Sequence, residues 1–270
     1  MIDLDQKSIS DRTTLEECLV EAYSRLDLYK YDIIYIYSDF RKFGNYLPLY
    51  SDKSAFCEAF LSPILSSGKT IIMPSFTYTT SGVFDLLSTE TNLGTLNRYF
   101  SKSDKAVRSE HPLFSYVAVG PAAKMIENIG KSAFGAHSVF HRLRGKNTGF
   151  LHIGRPISFG NTLVHFVEQS CGASYRQNKV FSTIVRRGST YIGTDYSAFL
   201  RRRDVENEDF ATDFNSTYQK LKASGLLLEL GSPDKLSNLS TYPYDETLDF
   251  LTDLFYKDAK IFLSSSAVIS

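Results

Sequence analysis

The sequence predicts an α/β fold, with a mixed central sheet flanked by helices and a C-terminal hairpin and helices. Three observations lead there. Short β-branched or aromatic runs alternate with amphipathic runs through residue 172. Several strand-like runs stop at glycine or proline, as strands feeding turns do. After residue 172 the pattern changes to alternating residues followed by two amphipathic segments.

The elements follow in order. Residues 13–28 carry Leu15, Leu19, Ala22 and Leu26 at helical spacing, with Thr13 or Thr14 as N-cap and Glu16 and Glu17 near the positive end. "DIIYIYS" at 32–38 reads as a strand. "SAFCEAFLSPIL" at 54–65 reads as a helix weakened near its end by Pro63. "GKTIIMPSFTY" at 68–78 is a strand stopped by Pro74, and residues 93–103 are a helix. "FSYVAVG" at 114–120 and "TGFLHIG" at 148–154 are buried strands. Residues 161–172 form a helix, with Asn161 or Thr162 as N-cap and Gly172 as terminator. Residues 179–199 alternate like a hairpin turning at Arg187, Gly188 and Ser189, and 213–227 and 245–258 are amphipathic helices. No linker or repeat divides the chain, so one domain over 1–270 is expected.

Lys plus Arg equals Asp plus Glu at 30 each. Such a chain offers no global field for nucleic acid, and its balanced charge leaves self-association into a homodimer unopposed. No apolar run approaches the ~20 residues of a membrane span. The polar, acidic first ten residues are unlike a signal peptide, and three scattered cysteines fit a reducing compartment. A cytoplasmic protein is expected.

The chemistry concentrates in "GNTLVHFVEQ", 160–169. On a helix His165 and Glu168 share one face, about 5–6 Å apart at Cβ. A carboxylate there orients an imidazole and stabilises its protonated form, which suits a general base; a surface ion pair has the same spacing. The helix start offers N–H donors, and Asn161 and Thr162 add side-chain donors, for a developing oxyanion. Ser38 and Arg41 sit in a loop opening from the first strand, and Ser75 and Thr77 at the end of the next, where ligands of open α/β sheets bind. Arg108 with Ser109 suits an anion, although a solvated turn at Pro112 reads equally well. His137 and His141 have i,i+4 spacing but lack HExxH and nearby acids or thiols, so no metal is expected. Cys171 is placed roughly 9 Å along the axis from His165, too far for a dyad. Arg201–Arg203 followed by Asp204, Glu206, Glu208 and Asp209 reads as a self-neutralising loop. A Ser–His–acid hydrolase is disfavoured because no GxSxG elbow is present.

Taken in order, "YSDFRKFG", "GKTIIMPSFTY", "NLGTL", "VRSEHPLFSYVAVG", "SAFGAHSVFHRL", "GFLHIG", "NTLVHFVEQ" and "YRQNKVF" resemble the aminoglycoside N3-acetyltransferase family, distinct from the GNAT acyltransferases. "FTYTTSGVF", "SAFGAHSVF" and "ASYRQNKVF" resemble the branch associated with bacterial surface polysaccharides more than the antibiotic-resistance enzymes. The resemblance implies transfer of an acyl group from acetyl-CoA or another acyl-CoA to an amine on a sugar, without a metal. A nucleotide-linked amino sugar for O-antigen or lipopolysaccharide is the acceptor implied; aminoglycoside 3-N-acetylation is the alternative. His165 becomes the base, Glu168 its partner and Thr162 the oxyanion donor. The coenzyme A cleft falls on Ser38, Phe40, Arg41, Ser75, Thr77, Arg108 and Ser109, and the acceptor on Asn161, His111 and Arg176. Two departures stand out: Tyr37-Ser38 replaces a frequent His-Ser, and "GRPISFG" is short where relatives often carry an acidic residue.

Overall fold

The computed structural model describes residues 4–203, 211–231, 236 and 238–264, with side chains from residue 15 onward. The acidic half of the 201–209 run lies outside the described residues.

Helix α1 spans Leu4–Arg25 and strand β1 Ile33–Ser38. Then come α2 (Lys53–Ser66), β2 (Thr70–Pro74), β3 (Val83–Asp85), α3 (Thr95–Ser101), β4 (Val107–Arg108) and β5 (Tyr116–Val119). Next are α4 (Val139–Leu143), β6 (Thr148–Ile153) and α5 (Thr162–Ser170). Four strands follow: β7 (Arg176–Phe181), β8 (Ile184–Arg187), β9 (Thr190–Gly193) and β10 (Tyr196–Arg201). The described chain closes with α6 (Phe214–Ala223), β11 (Leu228–Glu229), β12 (Leu239–Pro243) and α7 (Tyr244–Lys257).

The main sheet has the order β11-β12-β6-β1-β2-β5-β4. Its centre, β6-β1-β2, is parallel, and its flanks are antiparallel, so the sheet is mixed. Side chains of β1 alternate between two cores, as the two-residue period of a strand requires. Ile34 and Ile36 join one with Leu19, Tyr23 and Phe60, from α1 and α2. Tyr35 and Tyr37 join the other with Phe140, Phe150, Tyr242 and Leu251. In that second core Phe150 stacks on Tyr35, Tyr242 and Tyr244 at centroid distances of 4.5, 5.1 and 5.6 Å.

Two expectations change. The first helix begins at Leu4 and ends at Arg25, because Asp27 takes a left-handed conformation (φ 53°) and starts a 3-10 turn. The second strand ends at Pro74 as expected, since proline cannot donate to a ladder. The hairpin turns at Gly188 (φ 60°) as expected, joining β8 to β9. Its outer strands β7 and β10 instead pair as a separate two-stranded sheet, while β8 takes β3 as a parallel partner from about a hundred residues upstream. That strand was not legible because only three residues long.

Candidate active site

Helix α5 starts at the carboxyl end of β6, after a loop in which Gly160 adopts φ 136°. That φ strains any L side chain, so this turn favours glycine, and a Cβ there would also meet the movable Arg155 guanidinium at 2.8 Å. Asn161 is the N-cap, its Oδ1 accepting from the Leu163 N–H at 3.1 Å. The Thr162 N–H donates to the Tyr37 hydroxyl at 3.1 Å, and the Val164 N–H to the Asn161 carbonyl. All three amides of the helix start are therefore engaged. The expectation of free N–H donors there is corrected, and the side chains of Asn161 and of Thr162, which also meets the Tyr37 phenol, are left as the donors at this end.

One turn along, His165 Nδ1 lies 2.8 Å from Glu168 Oε2. The Glu168 side chain is fully buried and the His165 side chain is 22% exposed, so this is no surface pair. Burial pushes the Glu168 carboxyl up, but the hydrogen bond and charge of His165, with the Arg176 guanidinium, outweigh it and hold the pKa below the ordinary value. An ionised Glu168 only accepts, so Nδ1 carries the hydrogen and Nε2 keeps its lone pair. The ring packs against Phe134 and Phe214 at centroid distances of 5.7 and 5.8 Å.

His165 lines two cavities. One, of about 290 Å³, is lined among others by Tyr37, Ser38, Arg155, Asn161, Thr162 and Phe214. It shares Ser38, Gly94 and Arg155 with a neighbouring cavity of about 450 Å³ that contains Phe40, Arg41 and Lys53. The other, of about 570 Å³, also touches His165 and Phe214 and is lined by Arg176, Lys179, Arg201 and Arg203.

The structure thus assembles His165, Glu168, Thr162, Asn161, Ser38, Phe40, Arg41 and Arg176 around connected space. It does not bring the remaining five there. Ser75 is fully buried and bonded to Ser101. Thr77 donates to the Pro112 carbonyl. Arg108 spans the Thr89 and Ser75 carbonyls and lies over Phe84, with burial lowering its pKa to about 10. The Ser109 hydroxyl accepts from the Tyr116 N–H at 2.8 Å. His111 accepts two N–H groups on Nδ1 and donates from Nε2 to the Ser197 carbonyl, and burial lowers its pKa to about 4. These five sit at strand ends as expected, but their polar atoms are turned into loop-tying hydrogen bonds. Arg41 is bound to Asp39 in a fork, with Nη2 2.5 Å from Oδ2. The His137 and His141 rings meet edge-on at 5.6 Å, and no group of three or more potential metal ligands exists among the described residues.

Among the lining residues that escaped the sequence reading as site members are Tyr37, Asn97, Arg155 and Phe214. Arg155 follows the carboxyl end of β6, and the strand-end rule alone could have marked it. Asn97 connects the Ser38 hydroxyl to the Pro74 carbonyl, and only folding shows that.

The profile of the aminoglycoside 3-N-acetyltransferase family matches residues 36–232, most of the chain. The chain belongs to this family. It is accordingly a coenzyme A-dependent N-acyltransferase. Among solved structures, aminoglycoside acetyltransferase AAC(3)-Xa is 15% identical over 92% of this chain and 98% of its own, with a TM-score of 0.75. AAC-IIIb, solved as a binary complex with CoASH, is 15% identical over 91% and 96%, with a TM-score of 0.71. The YokD protein from Bacillus subtilis is 18% identical over 90% and 99%, with a TM-score of 0.68. At these identities the likeness establishes the fold. No match was found among curated proteins. Among the described residues no helix is long and apolar enough to cross a membrane.

Proposed function

We propose that the chain acylates the amino group of a nucleotide-linked amino sugar by direct transfer from acyl-CoA, with His165 as general base. The observation that carries this reading is the His165–Glu168 pair, with the imidazole lining two cavities at once. The cavity pair holding Ser38, Phe40, Arg41 and Lys53 is the thioester side, because its cations suit the phosphates of coenzyme A. The cavity beyond Phe214 is the acceptor side.

In the reaction, a neutral amine attacks the thioester carbonyl as His165 Nε2 takes its proton. Glu168 fixes the ring and balances the imidazolium. The carbonyl oxygen becomes an oxyanion that accepts from the Thr162 hydroxyl. The carbon–sulfur bond then breaks, and the proton on His165 is available to the leaving thiolate. Such base assistance is worth about 100- to 10,000-fold.

An anionic acceptor is favoured over a polycation by charge. Apart from Arg176, whose charge Glu168 answers, the described lining of the acceptor-side cavity holds Lys179, Arg201 and Arg203 and no carboxylate. A polyamine antibiotic would meet repulsion there, and a phosphate or sugar acid attraction. An acceptor of this kind fits a role in surface-polysaccharide biosynthesis, and three free thiols fit the cytoplasm.

The test is thiol release from acetyl-CoA with paired acceptors: free amino sugars, their nucleotide-linked forms, and kanamycin-like amines. Release strongest with the nucleotide-linked amine supports the reading. Release strongest with the aminoglycoside overturns the acceptor assignment, and release without any acceptor overturns transfer itself.

A further inference from the structure

The sequence resemblance puts Arg176 against the acceptor, but its side chain is 6% exposed and committed elsewhere. Its Nε lies 2.7 Å from Glu168 Oε2, the same oxygen that meets His165 Nδ1 at 2.8 Å. Its Nη1 donates to the Phe199 carbonyl at 3.3 Å and its Nη2 to the Thr212 hydroxyl at 3.1 Å. The Nε–H is not aligned on the oxygen, so the contact is a close ion pair rather than a linear hydrogen bond.

We propose that Arg176 is a positioning residue for the base, holding the Glu168 carboxylate and sharing it with His165 so that the resting site is electrically neutral. This inference rests on the reading of His165 as the base. With His165 neutral, Glu168 and Arg176 cancel, and a proton arriving on the imidazole takes the group to +1. Without Arg176 the resting group would be −1, and the same proton would neutralise it. The imidazolium would then be favoured, and a larger fraction of the base would be protonated at any given pH.

Other charges around the pair leave this balance intact. Arg155 faces His165 across the thioester-side cavity, and Lys179, Arg201 and Arg203 lie on the acceptor side. Tyr175 meets Glu168 from the start of β7, and burial with that carboxylate's charge pushes its phenol up. Asp258, just past α7, adds to that rise of the Tyr175 phenol. Among the described residues only Arg176 touches the carboxylate with a fixed positive charge.

The experiment is a pH titration of the full chain labelled with 13Cε1-histidine. The chain has five histidines, and the His165 resonance is assigned by its loss in His165→Gln. Arg176→Met is expected to move the His165 titration midpoint up by about one pH unit relative to the parent. Arg176→Lys keeps a cation beside the carboxylate while losing the fork that reaches Phe199 and Thr212, and its midpoint is expected within a few tenths of the parent. A midpoint unmoved in Arg176→Met overturns the proposal, as does one moved equally far in both variants. If Arg176→Met does not fold, Arg176→Lys decides: a folded protein with a near-parent midpoint supports the charge role. A Lys variant that also fails to fold shows a structural strut and overturns it. An Arg176→Met variant that raises only the acceptor KM returns Arg176 to acceptor binding. The titration needs no substrate, so a His165→Ala variant that kept its turnover would remove the base reading without affecting this measurement.

Discussion

Glu168→Gln separates structure from chemistry at this site. The carboxylate is fully buried and is held by His165 at 2.8 Å and by Arg176 at 2.7 Å. Gln keeps the volume but removes the charge, leaving the buried Arg176 guanidinium without its counter-ion. Breaking a buried pair by removing one partner costs about 3 kcal/mol or more. For a chain of this size that corresponds to a fall in Tm of roughly 6–12 °C. Because the folded-state pKa of Glu168 is depressed, the stability from its ionisation is present above the ordinary carboxyl range and lost as pH falls through the lowered value. The gap between parent and variant should therefore be full at pH 7 and shrink below about pH 4. The amide also offers the imidazole no negative charge, so turnover should fall about 100-fold or more. Urea denaturation at pH 7 and pH 4, with thiol-release kinetics at saturating acetyl-CoA, measures both. A variant as stable as the parent at pH 7, with near-native turnover, would refute the reasoning.

Further predictions follow from the same geometry. His165→Ala should lower kcat by about 100- to 10,000-fold while coenzyme A binding, followed by calorimetry, stays nearly unchanged; near-native turnover would end its assignment as the base. Tyr37→Phe leaves the Thr162 N–H buried without its acceptor and should cost about 1–3 kcal/mol in chemical denaturation. Phe150→Ala, at the centre of the stacked tyrosines, should cost about 3–5 kcal/mol, with the fold retained by circular dichroism. Burial lowers the pKa of His111 to about 4 and of His152 to about 3. Both are neutral when folded and gain protons on unfolding, so stability should fall as pH drops from about 6.5, by roughly 2 kcal/mol per histidine between pH 7 and pH 5. A denaturation midpoint that is flat over that range would contradict their burial.

The sequence carried the local physics. Short apolar strands, capped amphipathic helices and the Gly188 turn are set by periodicity and backbone preference, so β1, β2, β5, β6, α5 and α7 lie close to where the pattern puts them. The spacing of His165 and Glu168 fixed their meeting on one helix face before any tertiary contact was known. What folding decided was which polar groups are already spent. Ser75, Thr77, Arg108, Ser109 and His111 had the chemistry of a binding site, but their hydrogen bonds close loops, and for all but Ser109 a partner lies 26 or more residues away, where no local signal records it. The same holds for β3 and β8, and for Arg155 and Phe214 at the cavity walls. Arg176 shows the limit most plainly. Its charge is written in the chain, but its partner is Glu168 only because β7 returns beside α5, bringing a guanidinium within 2.7 Å of a carboxylate that water cannot reach.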